Sequence, residues 1–231
     1  MLTNMDETGD ITIPEVVPVM TLQDTVLFPH AVMPLFIFEQ RYRIMLEEVL
    51  NSHRLFAIFN ESHVENDEGH EEPPAIMGTV GIVRAAHKNP DGTSNLALQG
   101  IKRVRLVEIV QEAPYRLIRV APCHDANEED ASVSGKREKI LEILDRESYL
   151  TTGLPEEYVQ FIHSLEKPGP FIDVAVHSLC QNAVTKQMLL ETLSLERRFD
   201  LFLEFLGKEC QRHELFRLLQ GSTKDEEIDY N

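Results

Sequence analysis

Gly78-Thr79-Val80-Gly81-Ile82-Val83-Arg84-Ala85-Ala86, the stretch Asn89-Pro90-Asp91-Gly92, and Ser94-Asn95-Leu96-Ala97-Leu98 follow one another along the chain. Two strand-like runs around a breaker-rich turn read as a β-hairpin, because Asp-Gly supplies the positive φ that primed turns need. Moving outward, Val104–Val110 and Tyr115–Val120 continue the β pattern downstream, and Val16–Met20 and Leu55–Phe59 precede it. Pro34-Leu35-Phe36-Ile37-Phe38 is a continuous apolar run of the kind found in buried strands. Between these, Glu39–Leu50 changes period. Tyr42, Met45, Leu46 and Val49 follow i, i+3, i+4, i+7 spacing, so one helix interrupts the sheet. Five to seven short strands with tight turns predict a small, partly closed barrel over residues 16–121.

No strand pattern survives beyond that point. Residues 122–134 form an acidic, breaker-rich linker, and residues 135–221 read as a bundle of four or five helices. Ser134 is placed to cap a helix carrying Ile140, Leu141 and Leu144. Gly153 and Pro155 introduce a stripe of Tyr158, Phe161, Ile162 and Leu165; Pro168-Gly169-Pro170 breaks the chain again before Phe171. Thr185 is the expected cap of a short helix, with Val184 and Leu189 as its staple. The last helix begins near Ser194, and Gly221 suits its C-terminal position. The fold class is therefore α+β, with acidic flexible tails expected at 1–15 and 222–231.

The chain has 231 residues and a formal net charge of −17. Eighteen of its 39 acids sit in four short stretches without Lys or Arg (1–15, 61–72, 125–130 and 225–229), so 21 acids face 22 bases elsewhere. Charge placed in tails and loops keeps a protein soluble and repels polyanions, which disfavours nucleic-acid binding. Lys102-Arg103-Val104-Arg105 is the one basic cluster near the body, and strand alternation makes it a solvated sheet face. No apolar run reaches the roughly 20 residues of a membrane span. The acidic start MLTNMDETGD is unlike a signal peptide, and three scattered cysteines argue against a disulfide framework, so a reducing cytoplasm is expected.

Chemistry is sparse. Gly135-Lys136 and Gly207-Lys208 lack the earlier glycine and the following Ser or Thr of a phosphate-binding loop. There is no CxxC or HExxH; His63 and His70 among acids read as a flexible loop rather than a metal site. Cys123 precedes His124, but neighbours in an extended segment point apart. No catalytic residue, metal or cofactor is assigned.

The stretch Val17–Glu39 resembles the N-terminal, substrate-binding domain of the Lon family of ATP-dependent proteases, at Pro18, Leu22, Val26, Phe28, Pro29, Pro34, Leu35, Glu39 and, just beyond, Tyr42. Gly78–Val83, Asp91-Gly92-Thr93 and Gln99-Gly100-Ile101-Lys102-Arg103-Val104-Arg105 resemble further family strands. Lys186–Glu191 followed by Arg197-Arg198 resembles its helical part, so the likeness covers roughly residues 16–215. The resemblance implies a PUA-like β-barrel followed by a helical bundle, in keeping with the two periods. Full-length Lon proteins continue into an AAA+ ATPase and a Ser-Lys protease. This sequence ends at Asn231 before either, so a free-standing, non-catalytic recognition module is expected.

Unfolded or specific polypeptide clients follow as the expected partners, in protein quality control or regulated proteolysis, with no nucleic acid and no membrane. A loop stiffened by Pro29 and Pro34 frames the candidate peptide-binding residues Phe28, Pro29, His30, Leu35 and Phe36. Core packing is the alternative for the apolar ones. For the whole chain, the alternatives are a hydrolase using Cys123 or an unrecognised nucleophile, and an RNA-binding PUA-like protein.

Overall fold

A computed structural model describes residues 11–61, 74–126 and 131–225. The N-terminal half contains β1 (Val16–Leu22), β2 (Val32–Ile37), α1 (Gln40–Leu50), β3 (Leu55–Asn60), β4 (Met77–Lys88), β5 (Ser94–Gln111) and β6 (Leu117–Pro122). The C-terminal half contains α2 (Ala131–Arg146), a 3-10 turn at Ser148–Thr151, α3 (Glu156–Ser164), α4 (Pro168–Leu179), α5 (Ala183–Glu191) and α6 (Leu195–Asp225). The α+β class and the order of its two halves are as expected from the sequence.

The strands close a circuit. β1 pairs parallel with β3 and antiparallel with β6, while β3–β4, β4–β5 and β5–β6 are antiparallel. Side chains alternate across each strand, so Val17, Val19, Leu55, Phe59, Val80 and Ile118 fill one interior cluster. The alternate residues Phe56 and Ile58 of β3 join a second core with Met45 of α1 and Phe171 and Phe199 of the helices. The two halves therefore share buried apolar surface. β2 lies outside the circuit, paired to β5 alone at the edge of the sheet.

Several local expectations are corrected. Two separate strands at 94–98 and 104–110 are one strand, β5, which bends instead of ending. Its register against β4 moves from Gly81↔Gly100 to Val80↔Lys102, leaving Ile101 as the extra residue of a bulge. The turn before it is not of the primed type. Gly92 N donates to Asn89 O at 2.9 Å, which centres the turn on Pro90-Asp91, and within it only Gly92 has positive φ, 83°. Proline fixes φ near −65° and cannot take the positive φ of a primed turn, so a type I turn closed by a left-handed glycine forms.

Pro34–Phe38 is not a buried run. As an edge strand β2 buries one face and exposes the other. In the helical half, α2 begins at Ala131, within the stretch read as linker, and encloses Ser134. Asn182 caps α5, accepting a hydrogen bond from Thr185 N at 2.8 Å, and Val184 is exposed rather than stapled. Ser194 Oγ accepts from Arg197 N at 3.3 Å, as a cap of α6 should, but the helix runs through Gly221 to Asp225. Ile11 and Ile13, read as tail, pack against the barrel core. The tail residues 1–10 and 226–231 and the acidic loop with His63 and His70 lie outside the described residues.

Candidate functional site

The loop between β1 and β2 packs on the barrel and, through Phe28 edge-on to His177 of α4, on the helical half. Thr79 Oγ1 donates to Leu27 O at 2.6 Å, and His30 N donates to Gly100 O at 2.8 Å. Gly100 N donates back to Ala31 O at 2.9 Å. This close approach explains the glycine, since a Cβ there would stand 2.1 Å from Phe28 O. His30 is held at φ 65°, a conformation uncommon for a residue with a side chain.

Beside this loop lies a lattice of two arginines and two aspartates. Arg103 leaves β5 outward, is 3 % exposed, and makes a bidentate pair with Asp173 of α4, one arm at 2.8 Å. Arg198 of α6, fully buried, donates to Asp125 at 2.6 and 3.1 Å and to Asp173 at 3.2 Å. Arg103 also reaches Asp125 at 3.5 Å, and further donors go to backbone: Arg103 Nε to Leu190 O at 3.1 Å, and Arg198 Nε and Nη2 to Thr192 O at 3.0 and 2.8 Å. Burial alone would raise the Asp125 carboxyl, but hydrogen bonds from Arg198 and the charge of Arg103 hold it below its ordinary value. The lattice joins β5, the segment after β6, α4, the end of α5 and α6. Paired and hydrogen-bonded in this way, it carries no net charge.

The expectation of a solvated basic face at Lys102–Arg105 is thus overturned for Arg103. The bulge at Ile101 sets its direction, and Asp173 receives it. A lone acid in Phe171-Ile172-Asp173-Val174-Ala175-Val176 is the sequence signal that marked the partner, because an aspartate amid apolar residues needs a buried cation.

Two surfaces stand out among the described residues, the first of them beside the lattice. The first is a cleft of about 840 Å³ between barrel and helices, with walls that include Pro29, His30, Lys102, His124, Lys167 and Pro170. The second is the outer face of β2. Val32, Phe36 and Phe38 are 47 %, 54 % and 61 % exposed, and the two phenylalanine rings stack with centroids 6.0 Å apart.

The five residues singled out from the sequence are divided among these places. Phe28 is core, fully buried, with the Arg103 guanidinium 5.7 Å above its ring. Pro29 is buried at the cleft wall and His30 is exposed there. Leu35 is half-buried against the core shared with α1, whereas Phe36, one residue on, faces outward. No single groove unites them. Cys123 Sγ donates to Ala121 O at 3.8 Å, and among the described residues no hydrogen bond joins it to a histidine. No group of three metal-ligating side chains occurs among the described residues. No described helix is long and apolar enough to cross a membrane.

Residues 16–208 match the family model described as "ATP-dependent protease La (LON) substrate-binding domain". Among curated proteins the chain is similar to a Lon protease of Dictyoglomus thermophilum, 26% identical over 222 residues covering 96% of this chain and 28% of the relative. Lon protease 2 of Myxococcus xanthus is 26% identical over 215 residues, covering 93% of this chain and 26% of that one. The chain thus spans about a quarter of the length of these relatives. Among solved structures, the N-terminal domain of Mycobacterium avium complex Lon protease aligns with a TM-score of 0.64 at 16% identity, covering 83% of this chain and 98% of that one. A Lon N-terminal domain protein from Xanthomonas campestris aligns at 0.60 and 20% identity, covering 82% and 97%.

Proposed function

Because the chain belongs to the family of Lon substrate-binding domains, we propose that it is a non-catalytic module that captures extended, apolar segments of polypeptide on the outer face of β2. The observation that carries this reading is the stacked, solvent-facing pair of Phe36, on an edge strand, and Phe38, one residue past its end. A sheet edge can add a peptide strand through its free backbone groups, and aromatic rings beside it supply apolar contact area. Pro34 on the same strand removes one donor, which guards the edge against indiscriminate pairing. Of the five residues picked out from the sequence, Phe36 makes direct contact in this reading. Leu35 and Phe28 hold the strand and the loop in place, and Pro29 and His30 belong to the cleft.

A role in quality control or regulated proteolysis fits a family defined by substrate binding. Three free cysteines suit a reducing cytoplasm. The test is a hydrogen-exchange footprint with a permanently unfolded polypeptide. Slowed exchange at the amides of β2, with Phe36 and Phe38 shielded, supports the proposal. An unchanged β2 with protection elsewhere overturns it.

A further inference from the structure

Among the described residues, the lining of the junction cleft holds more basic than acidic side chains left without a partner. Its acids, Asp125 and Asp173, are consumed by Arg103 and Arg198. Lys102 on β5 and Lys167 at the start of α4 face the same cleft, and neither makes an ion pair among the described residues. His30 and His124 add two imidazoles to its rim, the His30 ring partly withdrawn from solvent. Among the described residues, Lys102 and Lys167 are thus two cations without an ion-pair partner facing a cavity of about 840 Å³. Apart from Thr12 and Cys123, the rest of the wall is largely apolar, with Ile101, Leu195 and the rings of Pro29, Pro122, Pro168 and Pro170. A cavity of this size exceeds what a single small anion fills and leaves room for apolar side chains beside a charged one.

We propose that this cleft is a second recognition site, which takes a carboxylate-bearing, apolar stretch of polypeptide between Lys102 and Lys167. It rests on the reading of the chain as a polypeptide-binding module and adds the substrate's chemistry: acidic side chains beside apolar ones. The Ile11-Thr12-Ile13 segment of this same chain already lies along the wall, with both isoleucines packed on the barrel core. Withdrawal from solvent lowers the His30 pKa, the Arg103 and Lys167 charges adding to this and Asp173 and Asp125 opposing it. This favours the neutral ring, which carries one donor and one acceptor. The chain's overall negative field works against a polynucleotide at the same place.

The experiment is a heteronuclear NMR titration of the full chain with two peptides of alternating sequence, Glu-Leu and Gln-Leu. The expected result is displacement of the His30, Lys102 and Gly169 signals by the Glu-Leu peptide, with affinity about tenfold above that of Gln-Leu, as two partly exposed ion pairs provide. A K102Q/K167Q variant, altered only at side chains without ion-pair partners among the described residues, should bind both peptides equally. Displacement confined to β2, with equal affinities, overturns this site while leaving the β2 reading intact. No displacement anywhere overturns both. Inorganic phosphate reproducing the cleft shifts, or a single-stranded RNA of equal charge binding there more tightly, overturns the assignment to an acidic peptide.

Discussion

Asp173→Asn is the perturbation to which the union of the two halves is most sensitive. The substitution keeps size and one acceptor oxygen but removes the charge that Arg103 grips with two arms and Arg198 shares. Asp173 is 1 % exposed, so water cannot take its place. Two buried guanidinium groups would then rely on Asp125 alone. Breaking a buried pair by neutralising one partner costs about 3–5 kcal/mol, a large part of the 5–15 kcal/mol typical of a folded domain. For a chain of this length that lowers the melting temperature by roughly 6–20 °C. Urea unfolding followed by circular dichroism and a thermal scan give both quantities. The double variant R103M/D173L should recover most of the loss, because Arg198 and Asp125 remain a balanced pair while apolar side chains fill the vacated space. A loss below about 1 kcal/mol for Asp173→Asn, outside the range for a buried pair, would refute the reasoning. So would a double variant no more stable than the single one.

Other consequences are equally open to measurement. Gly100→Ala places a methyl group 2.1 Å from Phe28 O. The loop must then move, at a cost of about 1–3 kcal/mol in urea unfolding, with the His30 and Ala31 amides exchanging faster. His177 should titrate by NMR with a midpoint at about 4, because burial chiefly, and Lys186 secondarily, disfavour its charged form. The unfolded chain binds a proton between about pH 6.5 and 4 that the folded chain refuses. His177 therefore lowers stability as pH falls through that window, and His177→Phe should flatten the slope there. Asp125 acts at lower pH with its own sign. Its folded pKa is depressed, so its stabilisation is complete above the unfolded value near 3.9 and is lost as pH falls through the folded one. Asp125→Asn should remove that acid limb.

Barrel and bundle were legible because period-2 and period-3.6 patterns come directly from alternating burial. Val17 and Val19 face inward while Tyr42, Met45, Leu46 and Val49 line one side of α1, as their spacing requires. What escaped depends on register and neighbours. Nothing local distinguishes a solvated Arg103 from a buried one. The bulge at Ile101 decides its direction, and Asp173, seventy positions away, decides its partner. Phe28 and Phe36 look alike in sequence. One lies beneath an arginine and the other on an edge strand whose outer neighbour is solvent. The cap of α5 was misplaced because Asn182 and Thr185 are both good capping residues, and backbone geometry alone selects Asn182.

Capture of polypeptide by the β2 face is tested most directly by fluorescence anisotropy of a labelled, permanently unfolded polypeptide against the native chain and its F36S/F38S variant. Both side chains are more than half exposed. Their replacement should therefore leave folding stability within about 0.5 kcal/mol, as surface changes usually do. Saturable binding by the native chain, weakened about tenfold or more in the variant by the loss of two aromatic contacts, is the predicted result. Equal binding by the two proteins, or none by either, would contradict it.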